Sequence, residues 1–162
     1  MKYIRWTALI ILVACASALA QTSQISVEGL GGKAAVISAQ DLKQMPRTLL
    51  TVTDPKTKAA QHYEGVLLST VLAKVGAPTG KTLHGAEFRD YVEVIASDNY
   101  RVIFSLAEVD PPTHANQVLI ADTLDGKPME SPQGPFKLIA PDDIRPERWV
   151  RMITRIRIQQ VQ

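Results

Sequence analysis

Only one stretch of this 162-residue sequence repeats its apolar residues with a helical period. Leu68, Val71, Leu72 and Val75 stand at i, i+3, i+4 and i+7, which makes one stripe on a helix over residues 68–75. Gly76 suits the left-handed position after a helix, and Pro78 prevents continuation. Almost everything else after residue 21 alternates in twos or runs as short β-branched segments. The pattern predicts a β-rich α+β fold, with mixed sheets and few short helices.

Strands are expected at residues 24–28, 35–38, 48–53 and 61–64, with Gly65 ending the last of these. Residues 41–45 read as one helical turn stopped by Pro46. Asp54-Pro55 starts a turn. Residues 91–97 and 101–105 read as a hairpin around Asp98-Asn99. A buried strand over residues 118–121 precedes the turn signal Asp125-Gly126. Three prolines and a glycine make residues 128–135 an irregular loop, and residues 136–140 return as a strand. In residues 150–159, Arg151, Arg155 and Arg157 interleave with Ile153, Ile156 and Ile158, which predicts a half-buried final strand with the arginines on its solvated face. Gly29 to Gly32 is read as a plain turn, because the third glycine of a dinucleotide fingerprint would fall at Ala34.

The first twenty residues read as a leader. Lys2 and Arg5 give a positive start, and an apolar run follows that is too short to span a bilayer. Ala18-Leu19-Ala20 then offers the small residues of a signal-peptidase site. The expected organisation is a signal peptide over residues 1–20 and one domain over residues 21–162, exported to the periplasm or secreted. An alternative rests on Leu12-Val13-Ala14-Cys15, which resembles a bacterial lipobox. Lipidation at Cys15 is the one route by which this reading places the protein on a membrane. The leader has no Arg-Arg pair, which argues for export as an unfolded chain.

Composition narrows the function. With 46% hydrophobic and 21% charged residues, the chain is neither largely disordered nor a polytopic membrane protein. Its 18 basic and 16 acidic residues leave a net charge of +2, too balanced for a protein built to grip nucleic acid. Loss of the leader removes Lys2 and Arg5, so the exported form is charge-neutral. The single cysteine excludes a disulfide framework and a thiolate zinc cluster, and no histidine pair has metal-ligand spacing. No Gly-x-Ser-x-Gly elbow is present.

Four motifs carry a resemblance. Tyr63-Glu64-Gly65-Val66-Leu67-Leu68 before a short helix resembles a "G-V-x-L-x-x-L-L" step. Leu124-Asp125-Gly126-Lys127-Pro128-Met129 resembles an "N/D-G-x-P-L" turn. Residues 133–141 resemble a "G-x-P-x-R-L-v-x-P" strand, and Arg148-Trp149-Val150 with the isoleucines that follow resembles a "K-W-v-x-x-I-x-v" ending. In this order and spacing, over about residues 60–158, they resemble the oxidoreductase molybdopterin-binding domain family, the fold of sulfite oxidases. The resemblance implies a sulfite-oxidase-like fold and a pterin cofactor ending in phosphate. It also implies a cysteine ligand for molybdenum before the Gly-Val step. Residues 49–57 contain no cysteine, and a hard carboxylate such as Asp54 is a poor substitute for a thiolate.

Phosphate recognition needs guanidinium forks, ammonium groups or backbone N–H donors. The resemblance implies that the loop matching residues 142–148 holds the pterin tail. Arg145 and Arg148 are therefore the candidate anion contacts, with Trp149 as a stacking wall. His62 lies beside the first motif, and Arg101 leaves the hairpin turn where it faces a cleft. No catalytic residue and no metal ligand is assigned. The primary expectation is an exported pterin- or anion-binding accessory module without redox catalysis of its own, with a redox or scaffold protein as partner. Molybdopterin is the one cofactor that the resemblance implies. One alternative is a molybdenum oxidoreductase subunit with a non-standard ligand. The other is a structural or interaction domain with an unused cleft.

Overall fold

The computed structural model describes residues 23–54, 57–115 and 117–161. The expected leader with its expected cleavage site at Ala20, Cys15 and the expected turn residue Pro55 lie outside the described residues.

Among the described residues, ten strands form two five-stranded sheets. The first sheet has the order β2-β1-β10-β5-β6 and contains β1 (Gln24–Glu28), β2 (Ala34–Ser38), β5 (Asp90–Ala96), β6 (Arg101–Ser105) and β10 (Ile153–Gln160). In it β1 runs parallel to β10, and every other pair is antiparallel. The second sheet has the order β3-β4-β7-β8, from β3 (Thr48–Thr53), β4 (Ala60–Leu67), β7 (Leu119–Leu124) and β8 (Lys127–Pro128). There β9 (Lys137–Ile139) also pairs with β7, opposite Leu119 to Ala121. The first sheet is mixed, the second is antiparallel throughout, and strands dominate in the β-rich α+β fold that the sequence pattern predicts.

The main core includes Ile25, Val92, Val94, Phe104, Ile120, Leu138, Ile156 and the stripe of α2 (Leu68–Ala73). A smaller cluster of Val52, Tyr63, Leu119, Ala121, Met129 and Ile139 covers the opposite face of the second sheet. Alternation of side chains along a strand explains the division: Ile120 and Leu138 face one way, while Leu119, Ala121 and Ile139 face the other. Trp149 packs against both clusters.

Three expectations need correction. Gly65 does not end its strand. β4 continues to Leu67 through a register shift between Glu64 and Gly65 against β7. There is no room for a side chain at Gly65, because a Cβ would overlap the Ile120 carbonyl oxygen and lie 2.7 Å from the Ala121 Cα. The expected helix is shorter: α2 stops at Ala73, and Val75 reaches the core from the turn that follows, where Gly76 takes φ +71°. The final strand starts at Ile153 rather than at Val150, because Met152 adopts φ +53° and breaks the alternation. Arg151 therefore stands outside the strand. It pairs instead with Lys137 in an isolated antiparallel bridge. α1 (Ala39–Gln44) realises the predicted turn before Pro46, and a reciprocal Ser38–Asp41 cap starts it.

Candidate functional site

A cleft of about 620 Å³ opens where the tip of the β5–β6 hairpin meets the outer face of the second sheet. That is the size range of small-ligand sites. Gln61 and Tyr63 reach it from β4, two residues apart and so on one face. Lys137 reaches it from β9, Asp98 and Tyr100 from the hairpin tip, and Trp149 and Arg151 from the segment before β10.

Several short contacts fix these walls. The Trp149 indole donates Nε1–H to the Ala140 carbonyl at 2.8 Å and meets the Tyr63 ring edge-on, with centroids 6.1 Å apart. The Tyr100 hydroxyl donates to the Glu147 carbonyl at 2.8 Å, which closes the hairpin onto the 3-10 turn Pro146–Arg148. Across the cleft floor runs a chain of polar side chains. Lys137 Nζ donates to the Tyr63 hydroxyl at 3.2 Å, that hydroxyl donates to Gln61 Oε1 at 3.0 Å, and Gln61 Nε2 donates to Asp54 Oδ2 at 3.2 Å.

Lys137 is half-buried, with its ammonium 5.2 Å from the Tyr63 ring centre and 5.7 Å from the Trp149 ring centre. Burial and the neighbouring Arg151 push its pKa below the ordinary lysine value, against an opposing pull from Asp54. Burial, together with the charges of Asp54 and Asp125, raises the Tyr63 phenol. Arg151 lines the same cleft as Lys137, whose Nζ donates to the Tyr63 hydroxyl and feels the opposing charge of Asp54. Two cations thus converge on one aromatic-walled space, an arrangement that an anion would relieve.

The residues singled out from the sequence fall in different places. Trp149 lines the cleft. Arg148 is held by Asp143 through Nε at 2.9 Å and through Nη2, and by Glu108 at 2.9 Å. Its guanidinium lies 4.2 Å from the Phe104 ring centre. These carboxylates, Asp143 foremost, raise its pKa further, so Arg148 braces the loop over residues 142–149. Arg145 is exposed at the start of the 3-10 turn. Arg101 pairs with Glu93 on the hairpin at 3.4 Å, while its neighbour Tyr100 enters the cleft. His62 faces away from Tyr63 and meets Thr51 Oγ1 through Nδ1 at 3.0 Å. Arg155 and Arg157 lie 3.6 and 3.0 Å from the Glu28 carboxylate. Sequence reasoning missed Lys137, Arg151, Tyr63 and Gln61 as cleft residues. Lys137 did carry a signal, as the lone charge in the apolar run Phe136-Lys137-Leu138-Ile139-Ala140.

A molybdopterin would need contacts for a phosphate and for a planar ring, and a soft ligand for its metal. The cleft fits the first two through Lys137, Arg151 and the rings of Tyr63, Trp149 and Tyr100. It does not fit the third: its donors are carboxylates, amides, two phenols and cations, and the described residues contain no cluster of three metal-ligating side chains.

The architecture is that of the sulfite-oxidase-type fold. A sequence model of the oxidoreductase molybdopterin binding domain matches residues 13–162, and the chain belongs to that family. The sulfane dehydrogenase SoxCD from Paracoccus pantotrophus is similar in fold, at a TM-score of 0.65 and 20% identity. That match covers 85% of this chain and 39% of the SoxCD chain, so this chain spans well under half of its neighbour. No curated protein sequence matches.

Proposed function

We propose that this member of the molybdopterin-binding domain family is an exported module that binds a pterin or another anion and has no redox centre of its own. The observation that carries the reading is the convergence of Lys137 and Arg151 in an aromatic-walled cleft. The missing thiolate supports the second half, because cleft carboxylates and amides are hard ligands for a metal that the family holds through sulfur. The open cleft before Gly65 favours a ligand over a filled interior. The leader supports export to the periplasm or beyond, with lipidation at Cys15 as the route to a membrane-anchored form. A redox or scaffold protein is the partner that such a module would serve.

The test begins with protein exported under its own leader from a bacterial cell that makes molybdopterin. It is assayed for molybdenum, for fluorescent oxidised pterin, and for sulfate binding by calorimetry. The expected result is pterin or sulfate binding without stoichiometric molybdenum, weakened about tenfold or more by Lys137→Met. Stoichiometric molybdenum would make the chain a redox subunit. Failure to bind either anion would leave a scaffold domain.

A further inference from the structure

We infer that Lys137 is a nucleophile that captures small 2-oxo acids as an imine, with Arg151 holding the carboxylate and the Tyr63 hydroxyl moving the proton. The inference rests on the anion-binding reading of the same cleft and names the class of molecule that enters it.

Three observations meet at one atom. Lys137 Nζ stands in an open cleft, half-buried between two aromatic rings, where a small molecule reaches it. Among the described residues, Nζ donates its hydrogen bond to the Tyr63 hydroxyl, at 3.2 Å, a neutral group rather than a carboxylate. Arg151 lines the same cleft, and its charge disfavours a second cation beside it. An amine that is desolvated beside another cation is activated as a nucleophile. Lys33, Lys43, Lys58, Lys74, Lys81 and Lys127 are all exposed and share none of this setting.

The chemistry balances without an oxidant. The Nζ lone pair forms a bond to the keto carbon, and the carbonyl π pair moves to oxygen. One proton passes from nitrogen to that oxygen and gives a carbinolamine. The nitrogen lone pair then expels hydroxide, which takes the Tyr63 proton and leaves as water. Tyr63 recovers a proton from the iminium nitrogen, and the products are one imine and one water. A phenol kept protonated by burial suits this role, and its bond to Gln61 Oε1 holds it in place. The keto acid's carboxylate fits Arg151, since a planar guanidinium matches a carboxylate fork.

The test treats the full exported protein with pyruvate and cyanoborohydride at neutral pH, followed by peptide mapping. The expected result is one reduced pyruvyl group on Lys137, formed at least about tenfold faster than on any exposed lysine. Arg151→Gln slows the labelling, and acetone, which lacks the carboxylate, labels poorly. Lys137→Arg abolishes the adduct while its circular dichroism matches the wild type. Tyr63→Phe keeps the ring but slows trapping, a readout that lost packing alone would not give. Labelling of Lys137 no faster than of Lys74 or Lys127 would overturn the inference. If sulfate still binds in that case, the anion site stands and only the imine falls; if sulfate does not bind either, both fall.

Discussion

Arg47 grips Asp122 through two parallel hydrogen bonds, Nη1 to Oδ2 at 2.8 Å and Nη2 to Oδ1 at 2.7 Å, and reaches Glu64 with Nε at 3.0 Å. Arg47 stands just before β3 and Asp122 lies buried on β7, so the fork ties the edge of the second sheet to its middle across β4. Removing the guanidinium leaves a carboxylate with little water to replace it. Arg47→Met should cost about 2–4 kcal/mol in urea unfolding. Arg47→Lys should recover only part of that, because an ammonium cannot make both bonds at once. Equal stability of wild type and Arg47→Met would show that the fork contributes nothing net.

Gly65 gives a second stability prediction. Its missing side chain lets β4 pass β7 at the register shift, where a Cβ would overlap backbone. Gly65→Ala should destabilise by about 3 kcal/mol or more, near the upper end of overpacking costs. Gly126→Ala is the instructive contrast. Nothing lies within 4 Å of a Cβ there, but its φ of +75° still penalises a side chain, by about 1 kcal/mol. The sequence marks both positions with glycine and cannot say which of them is crowded.

That contrast shows how much of the molecule was legible. Strand alternation and β-branched runs located nine of the ten strands among the described residues, the exception being the two-residue β8, because those signals are local. The family motifs implied the fold because they mark turns and close approaches of backbone. The cleft was harder to see. Arg148 looked like a free cation, and only the folded chain brings it to Glu108, forty residues upstream. Arg151 looked like one more arginine on a solvated strand face, and the positive φ of Met152 removes it from that strand. Both errors arise from contacts or torsions that periodicity does not encode.

The bracing role of Arg148 separates it from Arg145. Arg148→Met breaks two ion pairs and the stacking on Phe104, for a cost of about 1–2 kcal/mol at a partly exposed site. Amide hydrogen exchange over residues 142–149 should quicken with it. Arg145→Ala should change stability by less than about 0.5 kcal/mol, as expected for an exposed side chain. If Arg148→Met leaves exchange in that loop unchanged, the loop is held by other contacts.

Asp110 should shape the acid limb of the stability curve. Burial would raise its pKa, but donation from the Thr113 and Thr79 hydroxyls and from backbone N–H groups outweighs that and lowers it. A carboxylate with a depressed folded pKa adds stability above its unfolded value of about 3.9. That contribution is lost as pH falls from there through the lower folded value. Asp110→Asn does not titrate, so its urea midpoint should fall less than the wild type's between neutral pH and about pH 3. Parallel curves for the two proteins would assign the acid limb to other groups.

Anion binding in the cleft should weaken as the solution becomes alkaline, at lower pH than an ordinary lysine would dictate. Burial, then Arg151, lowers the Lys137 pKa, and Asp54 partly opposes them. The protonated amine attracts an anion and the neutral one does not. Affinity is therefore full on the acid side and lost as pH rises through a value below about 10.4. The other charged groups facing the cleft are Arg151 beside Lys137, Asp54 after β3, Asp98 at the hairpin tip and Glu147 on the 3-10 turn. The Tyr63 phenol is raised by its burial, so the fall-off reports Lys137. Sulfate suits the titration because its own charge is constant there. Lys137→Met should weaken sulfate about tenfold to a hundredfold near neutrality and flatten the profile, as expected for losing a charge-assisted contact. Arg151→Gln should also weaken binding but shift the fall-off to higher pH, because it removes the charge that makes Lys137 easier to deprotonate. A wild-type profile that coincides with that of Lys137→Met would mean that the anion sits elsewhere.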